Sequence, residues 1–428
     1  MTQPVKGYKY RLCPTKSQID YFNQLFGCTR FVWNRYLAES SNAYTAYKTE
    51  LAAYAALPIN LRCTTDVPVK PPLPNYNAFS ASLTQLKKLP EYEWLNEPPA
   101  TCLHRSLSHL GDAYMDFFKP SRKGAKKAKL YRGYPKFKKR HSRQSATFSQ
   151  DAFSFESVQL RLVKLSEPVK IRWSRPLPSV PKTAVVSRTP SGEYYVSFTC
   201  ECQPTPTAGT AIIGVDLGIT DLATCSDGQV IPNPKHYHRS QRKLARIQRK
   251  LCRQKKGSNS RAKTRVKLAK LHQHIANQRQ DCLHKLSRQI IDKSHVVCLE
   301  DLQVANMAKN RHLSKAIMTA GWNSFREMLT YKSRDSQHTN VCVADAFFPS
   351  SQLCSVCNER PAEKLKLSQR VWQCPHCHTV NQRDLNAALN LRQHAINNRV
   401  FWQDKAGCVI NLIDYNPLPK ADKISCLV

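Results

Sequence analysis

From Val5 to Leu12 the chain runs with a period of two, Tyr8, Tyr10 and Leu12 alternating with Lys9 and Arg11. That pattern predicts a half-buried strand with one basic face. At Thr15 the period lengthens: Thr15 and Gln18 have capping-box spacing, and Ile19, Phe22, Leu25 and Phe26 recur at helical intervals. More helix is expected through Phe31, Trp33, Tyr36 and Leu37. A proline-rich stretch at 58–74 interrupts it, and helical spacing returns at Leu83, Leu86 and Leu89 and again over 103–118. Strand-like runs at 183–188 and 194–200 meet at a Ser191-Gly192 turn, and the Pro/Thr-rich residues 203–210 read as a linker.

Beyond the linker the apolar run from Ala211 to Val215 predicts a buried strand ending at Asp216, with a second strand over 222–226. Residues 241–293 read as two long helices broken at 257–260. One carries Leu244, Ile247 and Leu251 on a stripe; the other carries Leu268, Leu271, Ile275, Cys282 and Leu286. Val296, Val297, Cys298 and Leu299 form a third buried strand, and 341–346 a further candidate. A last helix opens near Asp384 and carries Leu385, Ala388, Leu389 and Leu391. The alternation of these elements over 428 residues predicts an α+β chain of several domains.

Charge narrows the function classes. The chain has 66 Lys and Arg against 30 Asp and Glu, a formal net charge of +36, and a mean hydropathy of -0.51. Self-repulsion on this scale destabilises a compact state unless a polyanion offsets it, and nucleic acid is the natural one. The bias is densest over 119–143, where Lys136, Lys138, Lys139 and Arg132 are interleaved with Tyr134 and Phe137, cations for phosphates beside rings for unpaired bases. Lys9 and Arg11 on the first strand join this basic set. No apolar run reaches the roughly 20 residues that span a bilayer, and the N-terminus lacks the apolar core of a secretion signal, so a cytosolic protein is expected. Most of the 17 cysteines are scattered singly in apolar stretches, which points to a reduced compartment.

Two constellations carry chemistry. Asp216 at the end of a buried strand, Glu300 after another and Asp384 opening a helix suit an RNase H-like sheet on which three acids converge. Such acids hold two Mg²⁺ or Mn²⁺ ions ~4 Å apart for in-line phosphodiester cleavage. Taken singly, Asp384 reads as a helix cap and Glu300 or Asp301 as a turn residue. The second constellation is Cys354-Ser-Val-Cys357 and, sixteen residues on, Cys374-Pro-His-Cys377. Paired knuckles of this form close one tetrahedral, structural zinc site, with His376 and His378 as spare ligands.

The ordered series Tyr8-Lys-Tyr-Arg-Leu-Cys-Pro-Thr, Gly27-Cys-Thr-Arg-Phe-Val-Trp-Asn, Gly133-Tyr-Pro-Lys-Phe-Lys, Gly214-Val-Asp-Leu-Gly-Ile, Gln278-Arg-Gln-Asp-Cys-Leu-His-Lys-Leu, Leu299-Glu-Asp-Leu, Ala320-Gly-Trp, Phe348-Pro-Ser-Ser-Gln-Leu-Cys-Ser-Val-Cys and Arg383-Asp-Leu-Asn-Ala-Ala-Leu-Asn resembles the TnpB family of insertion-sequence transposons, itself similar to compact type V CRISPR nucleases. The resemblance implies a β-barrel wedge domain (1–14 and 119–206) around a helical recognition domain (15–118). It further implies a RuvC-like α/β nuclease domain (207–349 and 382–400) with a four-cysteine insertion (350–381) and a tail (401–428). It assigns Asp216, Glu300 and Asp384 to catalysis and Mg²⁺ binding, and Cys354, Cys357, Cys374 and Cys377 to zinc. It implies a guide RNA from the transposon end, one protein per RNA, and double-stranded target DNA cut beside a short motif, in a prokaryotic cytosol. The stretches that read such a motif correspond to those around Tyr76, Ser80, His104, Ser149 and Gln150. They match the family weakly. The family's His-Asp-Arg-Asp is here Asn381-Gln-Arg-Asp384, which keeps the final carboxylate and drops a neighbouring one.

A CRISPR effector of similar size, a nuclease-silent RNA-guided repressor, a transposase and a plain zinc-ribbon DNA-binding module are the alternatives. The repressor reading requires loss of one of the three acids, and all are present; the ribbon alone leaves the acids unexplained.

Overall fold

The expected alternation produces β1 (Val5–Cys13), with Tyr10 and Leu12 buried and Lys9 and Arg11 exposed. The computed structural model describes residues 4–58, 67–118 and 133–398, apart from positions 157, 206, 208, 346 and 367. Two units make up the chain, Met1–Gln203 with Arg265–Lys270, and Pro204–Thr264 with Leu271–Val428.

In the first unit, the capping box at Thr15 is formed: Thr15 Oγ1 accepts from the Gln18 amide at 3.4 Å, and Gln18 Oε1 accepts from the Thr15 amide at 2.9 Å. It starts α1 (Lys16–Ala56), a single uninterrupted helix of 41 residues. The helix serves two cores in succession. Phe22, Leu25 and Phe26 pack on the sheet, whereas Val32, Tyr36 and Leu37 pack with α2 (Tyr76–Leu86) and α3 (Ala100–Phe118).

The sheet continues with β2 (Gln144–Ser149), β3 (Phe153–Glu156), β4 (Gln159–Leu162), β5 (Val169–Arg172), β6 (Thr183–Arg188) and β7 (Tyr194–Glu201). Its order is β2-β6-β7-β1-β5-β4-β3, antiparallel throughout. The edge strands β2 and β3 are consecutive in the chain, joined by one 3₁₀ turn at Gln150–Ala152. The two edges therefore meet at that corner, and the sheet curls toward a barrel.

The second unit begins without a loose tether. Thr205 donates its amide to the Asp335 carbonyl, Thr207 is buried against Thr339, and a Cβ at Gly209 would lie 2.4 Å from the Lys293 carbonyl carbon. Strands β8 (Ala211–Asp216), β9 (Asp221–Cys225) and β10 (Val230–Pro232) follow, with β9 antiparallel to both of its neighbours. Helices α4 (His236–Arg253) and α5 (Asn259–Lys293) follow, broken where Gly257 adopts positive φ.

Next come β11 (Ser294–Leu299), α6 (Val304–Met307), α7 (Ser314–Ala320), α8 (Trp322–Ser336) and β12 (Asn340–Val343). After them lie the short ribbon strands β13 (Val371–Gln373) and β14 (Val380–Gln382), then α9 (Arg383–Asn397). The five-stranded order is β10-β9-β8-β11-β12, with β8, β11 and β12 parallel. One sheet face buries Ile213, Val215, Val297 and Leu299 against Leu283, Leu286 and Ile290 of α5 and Phe325 and Leu329 of α8. The other buries Ile212, Val296 and Cys298 against Leu391 and Ala395 of α9.

Two expectations change in detail. The buried stripe of α5 runs through Ile275, Leu283, Leu286 and Ile290 rather than through Leu268, Leu271 and Cys282, which stay half-buried because only the C-terminal half of the helix lies in this core. The strand expected over 341–346 ends at Val343. Among the described residues no helix is long and apolar enough to cross a membrane.

The α9 face depends on one glycine. A Cβ at Gly214 would lie 2.0 Å from the Ala388 carbonyl oxygen and 2.5 Å from the Arg392 amide nitrogen, both backbone atoms that cannot rotate away. Gly214→Ala should displace α9 and cost about 3 kcal/mol or more, read as a lowered urea midpoint. Gly7→Ala, where a Cβ meets nothing within 4 Å, should leave that midpoint nearly unchanged. Equal midpoints for the two variants would show that the helix does not depend on this contact.

Candidate metal centres

The register of β8 and β11 pairs Val215 with Leu299, so Asp216 and Glu300 are the next residues on adjacent parallel strands. Neighbouring strands lie about 4.8 Å apart, which puts the two carboxylates side by side at the carboxyl edge of the sheet. Asp384 lies one helical turn before Ala388, the residue seated on Gly214. All three acids are half-buried. Burial, then the negative charge of Glu300, then that of Asp384 push the Asp216 acid up to about 8, with Arg383 and Arg370 pulling the other way. The three carboxyl groups thus act on one another.

Glu300 and Asp384 have distinct partners. Glu300 accepts a short hydrogen bond from Ser350 Oγ. Asp384 accepts from Arg370 Nη1 at 3.1 and 3.4 Å, and the cap of its helix is Gln382, so Asp384 is not used as a cap. Asp301, the neighbour of Glu300, pairs instead with Arg326 at 2.8 Å. The surrounding loop hangs from α9: Asn390 Nδ2 donates to the Ser350 and Leu353 carbonyls at 2.7 and 2.8 Å, and Asn386 donates to Leu353 at 2.6 Å. Arg370, Ser350, Asn386 and Asn390 escape sequence reasoning as site residues. Ser350, Asn386 and Asn390 sit inside the family-like segments, whereas Arg370 carries no local signal.

The cysteines are tighter. Their four sulfurs lie within 4.8 Å of one another, and Cys354–Cys377 and Cys357–Cys374 are each 3.6 Å apart. A Zn–S bond of about 2.3 Å requires tetrahedral edges of about 3.8 Å, so the cluster fits zinc. The knuckles repeat one geometry: the Asn358 amide donates to the Cys354 carbonyl and the His378 amide to the Cys374 carbonyl, each at 2.9 Å, with both residues at positive φ. The Thr379 hydroxyl beside Cys377 Sγ lowers that thiol to about 6, favouring the ligating thiolate. His378 is used in its turn, and His376 Nε2 faces the Arg360 carbonyl, so neither belongs to the sulfur group. The three acids do not form so dense a group among the described residues. Hard oxygen donors around a carboxyl that resists ionisation nonetheless fit divalent cations, whose charge would offset the repulsion.

Of the residues expected to touch nucleic acid, several have structural partners. Arg11 pairs with Glu193 at 2.7 Å, and Lys9 sits over the Tyr195 ring. The segment 136–138 is pinned to α1: Trp33 Nε1 donates to the Lys136 carbonyl, and Asn34 bonds both backbone groups of Lys138. Lys138 Nζ lies 3.8 Å from the Trp33 ring centroid, and burial lowers the amine to about 8. Tyr134 shares hydroxyl contacts with Ser41 and Tyr114, while Phe137 and Lys139 are exposed. Ser80 and His104 are hydrogen-bonded at 3.2 Å with Tyr76 edge-on to His104. Ser149 and Gln150 occupy the corner between β2 and β3. Arg132 and the rest of 119–132 lie outside the described residues, as does the tail at 401–428.

Cys354→Ser should release about one zinc per chain and lower the melting temperature, measured by elemental analysis and calorimetry. Unchanged zinc content would count against the site. The raised Asp216 acid gives a second expectation. Without divalent ions its contribution to stability is full below the ordinary carboxylate range and is lost as pH rises to about 8. Mg²⁺ should therefore raise the melting temperature more at pH 8 than at pH 5, and Asp216→Asn should flatten that difference.

Family profiles match in three places: "Probable transposase" (OrfB of IS605) over residues 194–311, "Cas12f1-like, TNB domain" over 322–391, and "Helix-turn-helix domain" over 1–49. A Streptomyces pristinaespiralis protein with the provisional name RNA-guided DNA endonuclease is 39% identical over 395 residues, 91% of this chain and 89% of its own length. InsQ of Escherichia coli (strain K12), provisionally named in the same way, is 29% identical over 405 residues, 90% of this chain and 91% of its own. The protein in a solved Cas12f1-sgRNA-target DNA complex superposes with a TM-score of 0.44 at 11% identity, covering 88% of this chain and 83% of that one, too distant for anything to follow from it. With this identity sustained along nine-tenths of its length, the chain belongs to the TnpB family, the OrfB proteins of IS605-type insertion sequences.

Proposed function

We propose that the chain is an RNA-guided DNA endonuclease that cuts double-stranded DNA by metal-dependent hydrolysis at Asp216, Glu300 and Asp384. The observation that carries this reading is that Asp216, Glu300 and Asp384 come near one another at the carboxyl end of β8, where burial first, and then the two neighbouring charges, push the Asp216 acid up to about 8. A structural role is a poor account of that arrangement, because like charges brought together with one arginine contact cost stability. Two divalent ions bound there would supply Lewis acidity to the scissile phosphate and its attacking water. The protein's own groups do the rest. Ser350 orients Glu300, and Arg370, reaching Asp384 from the ribbon, supplies a positive charge beside the phosphate position. The zinc cluster acts structurally, fixing the ribbon that carries Arg370.

The domain reading follows the same proposal: a wedge barrel in the curled sheet, a recognition bundle in α1–α3, and a RuvC-like nuclease in the second unit. The names of the relatives support a guide RNA as partner. Its origin at a transposon end, a short motif beside the target, one protein per RNA and a cytosolic setting belong to the proposal.

Asp216→Asn keeps the shape and removes one ligand charge. Cleavage of a matched duplex by the protein with its copurified RNA should fall by on the order of 10³-fold or more, several kcal/mol of lost charge stabilisation. Binding of that duplex should persist. Undiminished cutting by the variant refutes the assignment.

A further inference from the structure

Away from the acids and the cysteines, the first unit holds a cavity of about 530 Å³ bounded by α1, residues 70–75, α2, the end of α3 and Tyr134. That volume lies within the range of small-ligand sites. Much of its wall is aromatic. Tyr44, Phe117, Phe118 and Tyr134 all border the cavity, and each stays 37–40% exposed. Apolar residues scattered singly over a surface need no explanation, but half-open rings gathered around one hollow mark a binding site. The rings are also held in place. Phe117 meets Tyr134 edge to face at 5.3 Å, and the Tyr134 hydroxyl contacts those of Ser41 and Tyr114 at 2.9 and 3.2 Å. A platform fixed beforehand loses little freedom when a ligand settles on it.

The rest of the lining selects the ligand. Ser40 and Ser82 contribute hydroxyls, which a wholly apolar ligand would leave unpaired. Lys48 and Lys70 contribute positive charge, and the Lys48 ammonium lies 5.2 Å from the Tyr44 ring centroid, so cation and ring act at one place. The carboxylate in the lining, Glu39, is paired with Arg35 at 2.9 Å, which offsets its repulsion of an anion. Flat rings, hydroxyls and ammonium groups together match a nucleotide: a base to stack, polar edges to bond and a phosphate to neutralise. We propose that this cavity holds one unpaired base of a nucleic-acid strand among the Tyr44, Phe117 and Tyr134 rings, with its phosphate toward Lys48 and Lys70. A paired base has no free face to offer such rings, so the base is one extruded from, or outside, any duplex. The inference rests on the RNA-guided reading for the source of the strand, guide or target, whose bases present the same chemistry to the cavity.

The test uses the full chain with its copurified RNA, irradiated with short-wave ultraviolet light before and after a matched DNA duplex is added, with Mg²⁺ withheld. Crosslinked peptides are mapped by mass spectrometry. A nucleotide joined to the peptide that carries Tyr134 is expected. A ribonucleotide there before DNA is added assigns the base to the guide, and a deoxyribonucleotide after addition assigns it to the target. Tyr44→Ala with Phe117→Ala should lower that yield about tenfold, the scale of one lost base stack, while crosslinks elsewhere in the chain keep theirs. Phe117→Trp should keep the parental yield. No linkage at this peptide from either strand, or an unchanged yield in the alanine variant, overturns the proposal. If the double variant misfolds by circular dichroism, Phe117→Leu, which keeps apolar bulk and removes the ring, should still lower the yield about threefold. Mg²⁺-dependent cutting of the duplex by the same preparation is measured in parallel. Linkage without cutting defeats the nuclease reading and leaves the cavity assignment standing; cutting without linkage does the reverse.

Discussion

The backbone contact between α9 and β8 governs everything downstream of it. At Gly214 the helix lies so close that its own carbonyl and amide atoms occupy the space of a side chain. That proximity brings Asp384 to the end of the strand that carries Asp216. Three carboxylates do not gather by mutual preference, since each raises the cost of ionising the others. They gather because buried Ile212, Val296, Cys298, Leu391 and Ala395 hold helix and sheet together, and hydrophobic burial outweighs the repulsion of a few half-buried acids.

The helix that places the third acid also organises the rest of the site. Asn386 and Asn390 project from the buried side of α9 and satisfy the carbonyls of Ser350 and Leu353, which leaves Ser350 free to hold Glu300. Arg383 donates to the Lys366 carbonyl at 2.6 Å, tying the same helix to the ribbon. Zinc held by the four cysteines would add rigidity where the ribbon has almost no core, Trp372 and Leu365 being its main apolar members. A segment this small needs such a staple to hold Arg370 against Asp384. The acid group and the cysteine cluster are therefore coupled through one helix.

Much of this was legible in the sequence, for physical reasons that also explain the gaps. Local chemistry reads well: Thr15 and Gln18 announce a cap, four cysteines announce a metal, and apolar runs ending in Asp216 and Glu300 announce strand-end acids. Long-range geometry reads poorly. The register that sets Asp216 beside Glu300 comes from pairing between residues about eighty positions apart, and Arg370 reaches Asp384 only after the ribbon folds back. Burial on α5 follows which half of the helix meets the sheet, so Leu283 replaces Cys282 on the core stripe. The basic aromatic run shows what composition leaves out. Lys138 reads as a free phosphate contact by composition, yet it is half-buried over Trp33 with its backbone clamped by Asn34.

That contrast bears on how a chain of net charge +36 stays folded. Cations can be neutralised internally, as at Arg11 with Glu193 and Arg326 with Asp301, or laid over rings, as at Lys9 and Lys138. Neither device is used along α4. With no acid from Gly228 to Gln280, its repulsion is relieved only by water, salt or an external polyanion. Within the same unit Asp216, Glu300 and Asp384 present the opposite case, a group of carboxylates whose repulsion a divalent cation, and not a polyanion, would relieve.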